Sequence, residues 1–317
     1  MSCAELLSSF QGQKALVVGD LMLDEYIFGQ ATRISPEAPV MVVRQRSTRS
    51  VPGGAANVAA NLTALGAKTE IVGVVGADPY GDSLALMLGE QGLVRDASRP
   101  TTRKTRVLGN HSHQVLRIDH EEDHPVEAGI ERQLLDKAFE RIASMDVVLV
   151  SDYQKGGVTS AMIRELVAFC RDRSVPVVAN PKPRSLVNYR GAALVSLNRF
   201  EAGAALGSGQ VEDADAETAA ASLRTRYEVE NLLVTLGGSG MAAATSEGSF
   251  RVPAVKAEVY DEAGAGDTVI ATVALGISVG RFGPSLLGLA AHTSAAVVQK
   301  VGVAVPTRED LDRITAL

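Results

Sequence analysis

The residue pattern best suited to chemistry lies near the end of the chain, in Asp261-Glu-Ala-Gly-Ala-Gly-Asp-Thr-Val-Ile270. A Gly-Ala-Gly turn there runs straight into an apolar helical stretch, with Asp267 in its first turn. Small residues let a ligand approach the backbone closely, while the open N–H groups and positive dipole end of the helix attract an anion. Gly264, Ala265 and Gly266 would then cradle a phosphate, and Asp267 would take a proton from an attacking hydroxyl. The same spacing also suits a tight turn and a helix cap.

Four further clusters could serve such a site. Thr235-Leu-Gly-Gly-Ser-Gly240 follows the apolar run Asn231-Leu-Leu-Val, so the Thr235 hydroxyl and the amides of Gly237, Gly238 and Gly240 could sit beside a polyphosphate, or form an ordinary hairpin turn. Pro52-Gly-Gly-Ala-Ala-Asn57 opens a small-residue helix in which Gly53 and Gly54 leave room and Asn57 offers a donor and an acceptor. Gly19-Asp-Leu-Met-Leu-Asp24 places two carboxylates beyond a strand, where Asp24 would suit sugar hydroxyls. Asn198-Arg-Phe-Glu201 stands after another strand, and Glu201 either holds a magnesium ion through water or favours a helix start. His120-Glu-Glu-Asp-His124 fits a zinc-hydrolase pattern, but it follows an alternating strand and Pro125 stops a helix. The dinucleotide fingerprint fails because its third glycine is Val269, and no Gly-Lys dipeptide exists for a P-loop.

The elements that must position these groups alternate. Lys14–Gly19 reads as a buried parallel strand. Residues 38–44 and 49–52 read as exposed strands of an insertion, followed by a helix from Gly54 to Gly66 and the strand 71–76. A helix is expected over 83–91, then a hairpin from 102–108 and 114–118 about the turn Gly-Asn-His-Ser-His113. Beyond it, helices near 127–143, 160–173, 200 and 217 alternate with strands at 146–151, 175–179, 193–197 and 231–237. The pair 241–246 and 249–254 precedes helices at 265–279 and 284–300. Such alternation predicts an α/β fold with a doubly wound, mainly parallel sheet and a small β-strand lid.

Composition narrows the class. The 317 residues carry 31 Lys plus Arg against 37 Asp plus Glu, a net charge of −6 that opposes a nucleic-acid partner. No apolar run approaches the roughly 18 to 20 residues that span a membrane, and the N-terminus has no leader pattern. Cys3 and Cys170 are too few and too far apart for a disulfide framework, so a cytoplasmic location is expected.

Taken in order, the motifs resemble those of the ribokinase-like (PfkB) sugar kinases over essentially the whole chain. Gly19–Asp24 looks like the first sugar-contact motif, Gly53, Gly54 and Asn57 like the N-terminal signature, Asn198–Glu201 like N-x-x-E, Thr235–Gly240 like the nucleotide motif, and Gly264–Asp267 like G-A-G-D. Arg33-Ile-Ser-Pro-Glu-Ala-Pro-Val40, the segment from Pro52 to Ala67 and Asp267–Thr272 look most like the branch acting on heptose 7-phosphates at the anomeric oxygen. The chain ends after its last kinase-like helix, as a kinase alone would.

The resemblance implies a single domain with lid strands inserted at about 26–52 and 101–119, and a homodimer formed through that lid. It implies ATP and Mg2+, and leaves a monovalent cation open. Asp267 would be the base and Gly264–Gly266 an anion hole; Asp24, Gly53, Gly54 and Asn57 would hold the sugar. Arg33, Arg103, Lys104 and Arg106 are candidates for the substrate's own phosphate. Lys182, Asn198, Glu201, Thr235, Gly237, Gly238, Gly240 and His292 would face the nucleotide, with Glu201 reaching the metal through water. Departures from the family pattern occur at Asn180-Pro-Lys182, where the first residue is usually acidic, at Glu262-Ala263, and at His292-Thr-Ser294. The competing readings are a kinase of the same fold with another sugar, a silent sugar or nucleotide binder, and a dehydrogenase.

Overall fold

The structure, a computed structural model, describes residues 1–110 and 113–316. These residues form thirteen strands in two sheets. In chain order the strands are β1 (Lys14–Gly19), β2 (Leu21–Ile34), β3 (Met41–Gly54), β4 (Lys68–Gly76), β5 (Leu93–Asp96), β6 (Arg103–Leu108), β7 (Gln114–His120), β8 (Val147–Ser151), β9 (Val177–Asn180), β10 (Leu194–Asn198), β11 (Leu232–Thr235), β12 (Met241–Ala244) and β13 (Ser249–Val252).

The larger sheet runs β13-β12-β11-β10-β9-β8-β1-β4-β5. Its strands are parallel except for the antiparallel pairs at the β11–β12–β13 edge. Alternate residues of one strand feed two cores. Ala15 and Val17 of β1 face α1 (Cys3–Ser9), α2 (Ala55–Ala64), α3 (Pro79–Leu88), α8 (Ala265–Ser278), α9 (Pro284–Val297) and α10 (Arg308–Thr315). Leu16 and Val18 face α4 (Ala128–Ile142), α5 (Ser160–Arg171), α6 (Arg199–Leu206) and α7 (Ala216–Tyr227). Burial on both faces is why these strands read as continuous apolar runs. The winding reverses at β1, which lies between β8 and β4, so the crevice for ligands opens at the C-terminal ends of these strands.

The smaller sheet runs β3-β2-β6-β7. It is wider than the sequence suggested, because β2 and β3 are each 14 residues long. Residues 21–34 carry apolar side chains on both faces near the larger sheet, and Gly29 follows a register shift, so no period-2 pattern marks them as a strand. The 102–118 hairpin is present as β6 and β7. His111 and Ser112 of its turn lie outside the described residues. His120 ends β7 and Glu121–His124 is irregular, so the two histidines share no helical face. Helix α3 starts at Pro79, earlier than expected, because Asp78 caps it: the carboxylate accepts the N–H groups of Tyr80 and Gly81 at 3.1 and 2.8 Å. The short elements α1, β5 and α10 were not expected, although Ser2 with Glu5 and Thr307 with Asp310 form the capping boxes that start α1 and α10.

Candidate active site

Asp267 sits in the first turn of α8, 7% exposed, where the crevice beyond β1 and β8 meets the helix N-terminus. Its Oδ2 accepts the Asn57 Nδ2 hydrogen at 2.7 Å and its Oδ1 accepts the Tyr153 O–H at 2.7 Å. Burial raises its pKa to about 6; the Asn57 and Tyr153 hydrogen bonds oppose the rise, the Asp24 charge adds to it and Lys182 offsets it. A carboxylate of this kind is a stronger base than a free one, yet remains mostly ionised at neutral pH.

Two supports hold the pair. Helices α2 and α8 are tied by Asn57–Asp267 and by the Thr268 hydroxyl, which donates to Asn61 Oδ1 at 2.7 Å. Gly264, at φ +84°, begins α8, and a Cβ on it would lie 3.0 Å from Asn57 Nδ2. Tyr153 stands on the loop after β8. There Asp20 accepts the N–H groups of Tyr153, Lys155 and Gly157 at 2.9, 3.0 and 3.1 Å. Asp20 is thus a loop anchor rather than a second sugar ligand. Arg99, paired with Asp96, donates to the Lys155 carbonyl at 2.9 Å. Sequence reasoning missed Tyr153; its position just past the end of an apolar strand was the available signal.

Within the Gly264–Gly266 turn, the Ala265 N–H donates to the Glu262 carbonyl at 3.2 Å. The donors left open in this turn are therefore the N–H groups of Gly264, Gly266 and Asp267, rather than that of Ala265. No atom would meet a Cβ on Gly266 within 4 Å, so this face is open to a ligand.

The sugar-side residues divide by strand parity. Asp24, 3% exposed, is ion-paired with Arg106 and registers opposite Lys104. Lys104 and Arg106 share its face, and burial holds the Lys104 pKa below the usual lysine value. A Cβ on Gly53 would lie 1.9 Å from Asp24 Oδ2, and Gly54 adopts φ +57°. Arg103 is a correction: one residue out of phase, it points to the opposite face and stacks over the Tyr80 ring at 4.0 Å, with Glu25 Oε2 4.0 Å away. Arg33 is another, exposed nine residues beyond Asp24 on β2, roughly 30 Å away at the rise of a strand. From the same face as Asp24, Tyr26 accepts the Val303 N–H at 2.9 Å, which joins the smaller sheet to the loop beside Gly264.

Away from Asp24, a cleft of about 840 Å³ extends from Ala265 and Gly266 to an apolar end. Thr235, Gly237, Gly238 and Gly240 line it, and they also turn β11 into β12, the Leu236 N–H donating to the Gly240 carbonyl at 2.8 Å. Asn198 lines it as the N-cap of α6, accepting from Phe200 and Glu201 N–H at 2.9 Å each. Glu201 Oε2 accepts the Asn198 N–H at 2.8 Å, and Oε1 pairs with Lys182 Nζ at 2.6 Å. Both Glu201 oxygens thus have a protein partner, the Asn198 N–H and the Lys182 ammonium. His292 is a third correction. The α9 face lining the cleft is Ala291, Ser294, Ala295 and the adjoining Val298, and His292 lies off it. An Asn198→Ala variant is expected to lose about 1 kcal/mol of stability through the broken cap, measured by urea unfolding.

A sequence model of the pfkB family carbohydrate kinases matches residues 13–310. The chain belongs to this family. The kinase is 42% identical over 302 residues to a D-beta-D-heptose 7-phosphate kinase of Bordetella bronchiseptica, covering 94% of this chain and 95% of that protein. It is 40% identical over 311 residues to a bifunctional protein HldE of Desulfatibacillum aliphaticivorans, covering 96% of this chain but 63% of that protein. The kinase spans less than two thirds of the length of several such relatives. Among solved structures, phosphofructokinase-2 of Escherichia coli with fructose-6-phosphate matches at TM-score 0.79 and 18% identity, covering 96% and 99% of the two chains. A ribokinase of Arabidopsis thaliana with ribose and ATP matches at 0.74 and 19%, covering 97% and 100%. These likenesses establish the ribokinase-like fold.

Proposed function

We propose that this kinase transfers the γ-phosphoryl group of ATP to the anomeric oxygen of D-glycero-D-manno-heptose 7-phosphate, giving the 1,7-bisphosphate for ADP-heptose and lipopolysaccharide core synthesis. The observation carrying the reading is Asp267, a buried carboxylate held by Asn57 and Tyr153 in the first turn of α8, next to the Ala265–Gly266 end of the cleft. The names of the relatives support the sugar.

Asp267 accepts the proton of the attacking hydroxyl, and the Gly266 and Asp267 amides stabilise charge on the transferred group. Asp24 and Asn57 orient the sugar; Lys104 and Arg106 attract its remote phosphate. Magnesium, bound chiefly by ATP and water, would neutralise phosphate charge, with Glu201 the carboxylate on hand. Both cysteines are free, and no helix among the described residues is long and apolar enough to cross a membrane; a cytoplasmic, ATP-supplied setting suits the reaction.

The test is ATP consumption with magnesium against heptose 7-phosphate, fructose 6-phosphate, ribose and fructose. Selective turnover of the heptose phosphate supports the reading, and turnover of another sugar moves the substrate. Because Asp267 must be ionised, kcat/KM for the sugar is expected to fall about tenfold per pH unit below about pH 6.

The second copy would dock on the smaller sheet. Leu116 registers with Val107, and Val107 with Ile27, on one face; Leu116 and its neighbour on that face, Ile118, are 52% and 49% exposed. Ile118→Lys is expected to convert the dimer to monomer in sedimentation velocity.

A further inference from the structure

We propose that Tyr153 is a positioning residue of the transfer: its phenolic O–H fixes Asp267 Oδ1, so that the base keeps one orientation and stays ionised as the sugar hydroxyl arrives. This rests on Asp267 acting as the base, and the two ideas fail separately.

The geometry is specific. Each Asp267 oxygen receives one protein donor, Asn57 from α2 and Tyr153 from the loop after β8, at 2.7 Å each. A carboxylate oxygen has a second lone pair, so the sugar hydroxyl can donate to Oδ1 without displacing Tyr153. The loop itself is over-determined. Three consecutive-odd N–H groups converge on Asp20, which is buried and whose pKa burial raises to about 6, and Gln154 adopts φ +55°. The three amides offset part of the cost of burying this carboxylate and fix the loop in return, and the fixed loop places the Tyr153 hydroxyl on Asp267. Burial and the Asp267 charge hold the phenol pKa well above its usual value, so it remains a donor throughout the working range.

The charged groups facing Asp267 are Asp24 from β2 and Lys182 from the segment after β9. Lys182 also lies 5.5 Å from the centre of the Tyr153 ring, and Glu201 lies beyond it. None of these is altered by removing one oxygen from Tyr153.

The experiment is Tyr153→Phe, with kcat/KM for the accepted sugar followed from pH 5 to 9 at saturating ATP and magnesium. One hydrogen bond to a carboxylate is worth enough to move the acid limb upward by about one pH unit. The variant should be about fivefold slow at pH 6, nearly tenfold slow at pH 5, and approach the parent rate by pH 9, with the ATP KM unchanged. A second protein carrying 3-fluorotyrosine at position 153, a stronger donor of nearly equal size, should move the limb the other way. An equal loss at every pH, or no shift in either protein, overturns the role of Tyr153. An Asp267→Asn enzyme that turns over at the parent rate would instead overturn the base on which it rests.

Discussion

An Asp267→Asn enzyme is expected to lose about 10²- to 10⁴-fold in kcat, the ordinary worth of a positioned general base, while the KM values for ATP and sugar change little. The amide fills the same space and can still accept from Asn57, so binding survives while proton acceptance does not. The same variant should be more stable than the parent at pH 8. The folded-state pKa of Asp267, about 6, stands above the ordinary 3.8. A raised carboxyl pKa favours the fold fully below about pH 4, and that contribution is lost as pH rises through about 6. At pH 8 the parent therefore bears a burial penalty of up to about 3 kcal/mol that a neutral amide avoids. Urea midpoints at pH 5 and 8 measure it: the gap between variant and parent should widen with pH. A variant that is inactive and also less stable at pH 8 would show that Asp267 serves the fold rather than the reaction.

Gly53→Ala is expected to act on the other substrate. The added methyl would lie 1.9 Å from Asp24 Oδ2, so the carboxylate must leave its place opposite Arg106. Losing hydrogen bonds from sugar hydroxyls to a charged group raises the sugar KM by about ten- to a hundredfold. The ATP KM should hold, because the nucleotide cleft lies on the far side of α8's first turn. The φ of Gly53 is not in the left-handed region, so the effect is steric, and the variant should fold. Steady-state kinetics with each substrate varied in turn decides it; a rise in both KM values would point to a general distortion instead.

Much of this site is legible in the sequence, because parallel strands are apolar runs and their functional residues follow at the C-terminal ends. Asp24, Asn198 and Thr235 emerge that way, and Asp267 from the Gly-Ala-Gly turn that runs into an apolar helix. Tyr153 does not, since β8 joins β1 only in space: Ala15 registers with Val147, and nothing local in the sequence announces that pairing. Other errors were avoidable. Strand parity alone separates Arg103 from Lys104 and Arg106, and helix periodicity separates His292 from Ala291 and Ala295. Arg33 needed the length of β2, which its two-faced apolar pattern concealed. Glu201 bears out the helix-start reading, since it completes the α6 capping box, while its other oxygen pairs with Lys182.

The smaller sheet leaves the larger one without slack. β1 ends at Gly19, β2 begins at Leu21, and between them the Asp20 N–H donates to the Ser151 carbonyl while the Asp20 carbonyl accepts from Ala55. The 14-residue β2 is consequently a lever with its fulcrum at Asp20, roughly 45 Å from root to tip. Tyr26 stands about two fifths of the way along and holds the Val303 N–H beside Gly264. Were β2 to tilt about Asp20 as one piece, the Val303 N–H beside Gly264 would move with Tyr26 by about two fifths of the displacement at the tip.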